Sequence, residues 1–205
     1  HIEAGAFDAD REKVISRALA AGVSRMLTVG SGGGFKSAEA AIALAEKHSC
    51  IWAATGLHPH DAATPFDIER LRKLASHPRV VAVGETGLDF YRDWSPRESQ
   101  EKWFRAQVQL ALEIGKPLII HSRNAGEDCL AILKELDAQR IGGVFHCYSE
   151  DEKFAEKLLQ INFLVSFPGS VTFKKAEDLR SIVRSIPLTQ IMIETDAPYI
   201  APEPH

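Results

Sequence analysis

The sequence predicts an α/β protein, a TIM (β/α)8 barrel, from two observations. Short β-rich apolar runs alternate with longer stretches of helical period, the rhythm of βα units feeding a parallel sheet. Ionisable residues then fall where those apolar runs end, which is where barrel strands open onto one face. Strands are expected at 25–29, 51–55, 80–84, 118–120, 143–145, 163–166 and 191–193, and helices at 10–20, 36–47, 68–74, 96–114, 127–136, 152–159 and 176–186. The segment Ser95, Pro96, Arg97, Glu98 reads as a capping box that marks one helix start.

No Pro/Ser/Gly-rich linker or shift in composition interrupts this alternation, so residues 1–205 are expected to form one domain. One further strand ahead of His1 would bring the total to the eight of a barrel, a fold that typically takes roughly 250 residues. With 45% hydrophobic and 25% charged residues the chain reads as globular, which excludes disordered and collagenous classes. The 24 basic and 28 acidic side chains leave a net charge of −4, not the basic footprint of a protein that coats nucleic acid. Any phosphate binding must therefore be local. Cys50, Cys129 and Cys147 are odd in number and form no CxxC pair, which points to a reducing, cytoplasmic setting. No apolar run approaches the roughly 18 residues of a membrane span, and no membrane or obligate protein partner is expected.

The strand ends carry the chemistry. The second run leads to His58 and His60, the third to Glu85 and Asp89, the fourth to His121 and Arg123, the fifth to His146 and the last to Glu194 and Asp196. Imidazole nitrogen mixed with carboxylate oxygen suits a divalent transition metal. Glu85 directly follows an apolar run, where an uncompensated carboxylate is costly and calls for a cation. His48 and His77 follow no strand and are set aside. So is the glycine-rich turn Gly30–Ser37, because both P-loop and dinucleotide templates need a small residue where Phe35 stands. Cys147, beside His146, reads as a small packing residue, since nothing in the sequence lowers its pKa.

Several blocks together resemble the TatD-type metal-dependent deoxyribonucleases of the amidohydrolase superfamily: Gly56-Leu57-His58-Pro59-His60, Val83-Gly84-Glu85-Thr86-Gly87-Leu88-Asp89, Ile120-His121-Ser122-Arg123, Phe145-His146-Cys147-Tyr148-Ser149, Val171-Thr172-Phe173-Lys174 and Glu194-Thr195-Asp196-Ala197-Pro198-Tyr199. They follow one another in order over nearly the whole chain. The resemblance implies a TIM barrel, two divalent metal ions and hydrolysis of DNA phosphodiesters from an end, single-stranded DNA being the expected substrate. It also implies Mg²⁺ as the first choice of ion, whereas histidine-rich ligation favours Mn²⁺ or Zn²⁺. Family members open with Asp-x-His-x-His and continue beyond the Asp-Ala-Pro block. Against that pattern His1 is expected to stand for the second histidine, with most of strand 1 and the C-terminal closing segment expected to fall outside residues 1–205.

Carried over position by position, the resemblance implies that His1, Glu85 and Asp196 hold one ion and Glu85, His121 and His146 the other, with Glu85 shared. It further implies catalytic roles for Asp196, Glu85 and His58, substrate contacts from His58, His60, Arg123 and Asp89, and a supporting role for Glu194. Phe90, Tyr91, Trp94 and Tyr148 lie near the motif loops, where rings that stack unpaired bases favour a nuclease. Two alternatives remain at this level: the same site acting on a small amide, lactone or phosphate ester, and a metal-binding scaffold without catalysis.

Overall fold

Each apolar run and each helical stretch forms its expected element in a computed structural model that describes residues 1–65, 67–92 and 94–205. In chain order they are α1 (Arg11–Ala20), β1 (Met26–Gly30), α2 (Phe35–Lys47), β2 (Ile51–Thr55), α3 (Ile68–Ala75), β3 (Val80–Asp89), α4 (Arg97–Ile114), β4 (Leu118–Arg123), α5 (Gly126–Glu135), β5 (Gly143–Phe145), α6 (Glu152–Leu159), β6 (Phe163–Phe167), α7 (Glu177–Ser185) and β7 (Ile191–Ile193). The strands pair in parallel in sequential order, β1 through β7, and the sheet curls into a partial barrel with the helices outside. Among the described residues β1 and β7 do not pair with each other. Leu27, Met192 and Ile193 on these edge strands are correspondingly exposed. No helix among the described residues is long and apolar enough to cross a membrane.

Period-two alternation divides the strand side chains between two faces. Leu118, Ile120, Phe145, Phe163 and Val165 face outward and form one core with Phe104, Val108, Leu133, Phe154 and Leu158 of the helices. Burying each such large side chain contributes about 1.5 to 3 kcal/mol. The intervening positions Ala54, Ala82, Ile119 and Val144, with Val29 and Leu164, pack together on the inner face. His121 and His146 prolong the inner series of Ile119 and Val144 by one step of two, which sends both imidazoles to the barrel mouth.

Two local expectations change. Strand β3 runs on from Gly84 to Asp89 and β4 on to Arg123, pairing Thr86 with Ile120 and Asp89 with Arg123, so Glu85, Asp89 and His121 sit within strands. The extension depends on Gly87, at φ +141°, where a Cβ would lie 2.1 Å from the His121 carbonyl oxygen. Only a residue without a side chain lets the strands approach so closely. The capping box does not form. Helix α4 begins at Arg97 with Pro96 as its cap. The Ser95 hydroxyl instead donates to the His60 carbonyl (2.8 Å) and accepts from the Ala63 N–H (3.0 Å), tying down the turn that follows β2.

Candidate metal centre

Glu85 is the centre of the mouth. It is 4% exposed, and its Oε1 lies 2.5 Å from His146 Nε2, 2.7 Å from His121 Nδ1 and 3.3 Å from His58 Nε2. His1 Nε2 stands 4.0 Å from Glu85 Oε2 and 3.5 Å from Asp196 Oδ1. The ligand atoms of Glu85, His121 and His146 all lie within 4.8 Å of one another, as do those of His58, His60 and His121. These groups line a cleft of about 1180 Å³ together with Arg92, Trp94, Arg123 and Asp196.

A second oxygen acceptor faces each ring. His121 Nε2 faces Asp89 Oδ2 at 3.1 Å, His146 Nδ1 faces Glu194 Oε2 at 3.5 Å, and His1 Nδ1 bonds the Val29 carbonyl at 2.9 Å. All three imidazoles thus meet oxygen acceptors at both nitrogens. A neutral imidazole has one N–H, so the other nitrogen needs an added proton or a cation. This donor set fits divalent ions: a carboxylate or carbonyl behind each ring fixes its orientation, and carboxylates in front complete the ligation. Without an ion, protons fill the role. Asp196 and Glu3 raise the His1 pKa to about 11 against the effect of burial. Burial opposes protonation of His146 and His121 as well, yet Glu85 with Cys147 and Glu194 holds His146 well above the usual range, and Asp89 with Glu85 raises His121. Burial likewise opposes ionisation of Glu85, but His146, His58 and His121 hold its carboxyl well below the usual range.

His58 differs from the other three. Its Nδ1 accepts the His60 backbone N–H at 3.1 Å, which leaves Nε2 as the protonated nitrogen, aimed at Glu85 and 3.3 Å from His121 Nδ1. His60 bonds Asp89 Oδ2 at 2.7 Å and meets the Trp94 ring edge-on, its centroid 4.4 Å away. Burial lowers the His60 pKa, with Asp89 acting the other way.

Asp89, implied as a substrate contact, lies beneath the site, its side chain 0% exposed. Oδ2 holds His60 and His121, and Oδ1 accepts the N–H groups of Tyr91 (3.0 Å) and Arg92 (2.9 Å). Burial opposes its ionisation, but His121, His60 and the Arg92 N–H together push its pKa below the ordinary carboxyl value. Glu194 also lies behind the site and accepts from the Cys147 N–H (2.5 Å) and the Ser166 hydroxyl (2.7 Å). Arg123 reaches the cleft wall, stacked 3.9 Å over Tyr91. Burial pushes the Cys147 thiol up to about 11, so it is no thiolate at neutral pH. The glycine-rich turn is engaged by the chain itself, since the Gly33 N–H donates to the Asp61 carboxylate at 2.9 Å.

Three supporting residues escaped the sequence reading. Glu3 accepts from Thr28 and from Ser37 (3.1 Å) and faces His1 Nδ1 at 3.8 Å. Gln107 receives the Leu57 N–H on Oε1 (2.6 Å) and donates Nε2 to the Leu57 carbonyl (3.1 Å) and Thr86 Oγ1 (2.7 Å). Gln100 does the same for the backbone of Asp89, accepting from its N–H (2.8 Å) and donating to its carbonyl (3.1 Å). The two glutamines sit seven residues apart on the same buried helix face as Phe104, Val108 and Ala111. Polar residues on an otherwise apolar face were the available signal.

Parallel βα units that gather histidine and carboxylate at the carboxyl ends of their strands define the class of barrel metal-dependent hydrolases. The family model described as TatD related DNase matches residues 1–205, and the chain belongs to that family. It is 41% identical to the uncharacterized metal-dependent hydrolase YabD of Bacillus subtilis, over 100% of this chain and 80% of that protein. It is 38% identical to the 3'-5' ssDNA/RNA exonuclease TatD of Enterobacter lignolyticus, over 96% of this chain and 76% of that one. The crystal structure of YJJV, a TatD homolog from Escherichia coli K12, superposes with a TM-score of 0.92 at 31% identity, covering 100% of this chain and 79% of that one.

Proposed function

We propose that the protein hydrolyses phosphodiester bonds at the ends of single-stranded DNA, with two divalent ions at the mouth of the barrel. The observation that carries this is the set of three imidazoles, His1, His121 and His146, each backed by an oxygen acceptor and aimed at Glu85 or Asp196. His1, Glu85 and Asp196 would hold one ion and Glu85, His121 and His146 the other. Bound there, the ions supply Lewis acidity toward a phosphate oxygen and a lowered pKa for water. The substrate class is supported by the family and by relatives named as ssDNA/RNA exonucleases. The ion is proposed to be Mg²⁺, with Mn²⁺ or Zn²⁺ as alternatives on the softness of the imidazole donors.

The chain's own groups then have separable tasks. Asp196, 20% exposed at the cleft, accepts the proton of the attacking water. His58, with its N–H on Nε2, faces the phosphate and donates a hydrogen bond to the leaving oxygen as the P–O bond breaks, the proton itself coming from water. Asp89 holds His60 and His121 in their rotamers, and Glu194 holds His146. Arg123 adds positive charge where an anionic substrate enters a chain of net charge −4.

The test is hydrolysis of end-labelled single-stranded DNA with and without chelator, with each divalent ion then restored, beside a panel of small esters and amides. Activity is expected to vanish with chelator and with Glu85→Ala while the fold survives. Turnover of the panel with DNA untouched, or undiminished hydrolysis by Glu85→Ala, overturns the proposal.

A further inference from the structure

The loop after β3 bears a feature that phosphodiester chemistry does not require. Arg123 lies 3.9 Å over the Tyr91 ring, Arg92 4.7 Å over Trp94 and Arg97 4.2 Å over Phe90. Tyr91 is 59% and Trp94 60% exposed. Arg92, Trp94 and Arg123 line the cleft wall on the side of His60. Arginines on the outer helices, such as Arg70, Arg72 and Arg105, are paired with glutamates. Among the described residues none of the three stacked arginines has a carboxylate partner.

A guanidinium held flat on a ring loses little further freedom on binding, and its in-plane N–H edges remain free for phosphate oxygens. Tyrosine and tryptophan, more than half exposed beside a cleft, offer ring surface on which unpaired bases stack whatever their sequence. Paired bases in a duplex present no free face. Such a shelf would also supply local positive charge at the rim of a site whose floor is carboxylate-rich.

We propose that Tyr91, Arg92, Trp94 and Arg123 form a stacking shelf that holds the nucleotides neighbouring the scissile bond and selects single-stranded over duplex nucleic acid. Two rings take bases, and the two guanidiniums take the phosphates between them. The cleavage arm of the test rests on the nuclease reading above, and the binding arm does not.

The experiment uses the full chain, with oligothymidylates from a dinucleotide to about eight nucleotides as substrates. Binding of a fluorescein-labelled single strand and of its blunt duplex is measured by anisotropy. For the wild type, KM is expected to fall as the oligonucleotide lengthens, and the single strand binds more tightly than the duplex. Trp94→Ala and Tyr91→Ala are each expected to raise KM and Kd for the longer strand roughly 5- to 150-fold, the value of one base stack. Their length dependence flattens, while Trp94→Phe recovers most of the loss. If DNA is cleaved and both alanine variants keep the wild-type length dependence, the shelf is refuted and the nuclease reading stands. If DNA is not cleaved but single strands bind and the variants weaken that binding, the shelf stands and the nuclease reading falls. Absence of both cleavage and binding refutes both.

Discussion

Replacing Gln107 with leucine isolates the support of the site from its chemistry. The amide is 1% exposed and bridges α4 to the segment that leads into His58, accepting from the Leu57 N–H and donating to the Leu57 carbonyl and Thr86 Oγ1. Leu57 and Thr86 are themselves 2% and 0% exposed, so water cannot readily replace the lost partner. A buried polar group left unsatisfied costs about 1 to 3 kcal/mol. Taking the lower figure for each group gives a destabilisation of about 3 kcal/mol. For a chain of this size that lowers Tm by about 6 to 12 °C. Differential scanning calorimetry of the chelated protein reads the effect without reference to activity, and leucine keeps the volume close to that of glutamine. A fall of less than about 2 °C would show that the amide is not the anchor claimed here.

Two further outcomes follow from the geometry. Gly87→Ala forces a Cβ to within 2.1 Å of the His121 carbonyl at φ +141°. It is expected to cost at least about 3 kcal/mol in strain and overpacking, and a soluble variant with wild-type Tm would contradict this account of β3 and β4. In the chelated protein the contributions of Glu85, Asp89, His1, His121 and His146 are all fully present between about pH 4.5 and 6.5, and they outweigh that of His60, whose lowered value acts the other way. Glu85 and Asp89 have folded pKa values below their unfolded ones, so their contribution is present above pH 4.5 and is lost in acid. His1, His121 and His146 have raised values, so theirs is full below pH 6.5 and declines as pH rises toward the folded values. A Tm that climbs steadily from pH 6 to 9 in chelator would contradict that sign.

The order of elements, the parallel sheet and most of the mouth are legible in the residue pattern alone. Those features rest on short-range physics, because the alternation of apolar runs fixes strands and faces. His121 and His146 occupy the inner-face positions continuing Ile119 and Val144, so their convergence can be read from register alone. Which nitrogen faces which oxygen follows only from how the strands and helices pack. The sequence shows Asp89 as one more carboxylate at a strand end, but only the fold shows it buried beneath His60 and His121 with every acceptor position in use. The capping box at Ser95 failed for a related reason: the hydroxyl had a long-range partner in the His60 turn, which no local pattern contains. Glu3, Gln100 and Gln107 act across 25, 11 and 50 residues of chain respectively. Hydrogen-bond partners so distant are set by how the sheet curls and by which helix face lies against it, and that is a property of the packed molecule.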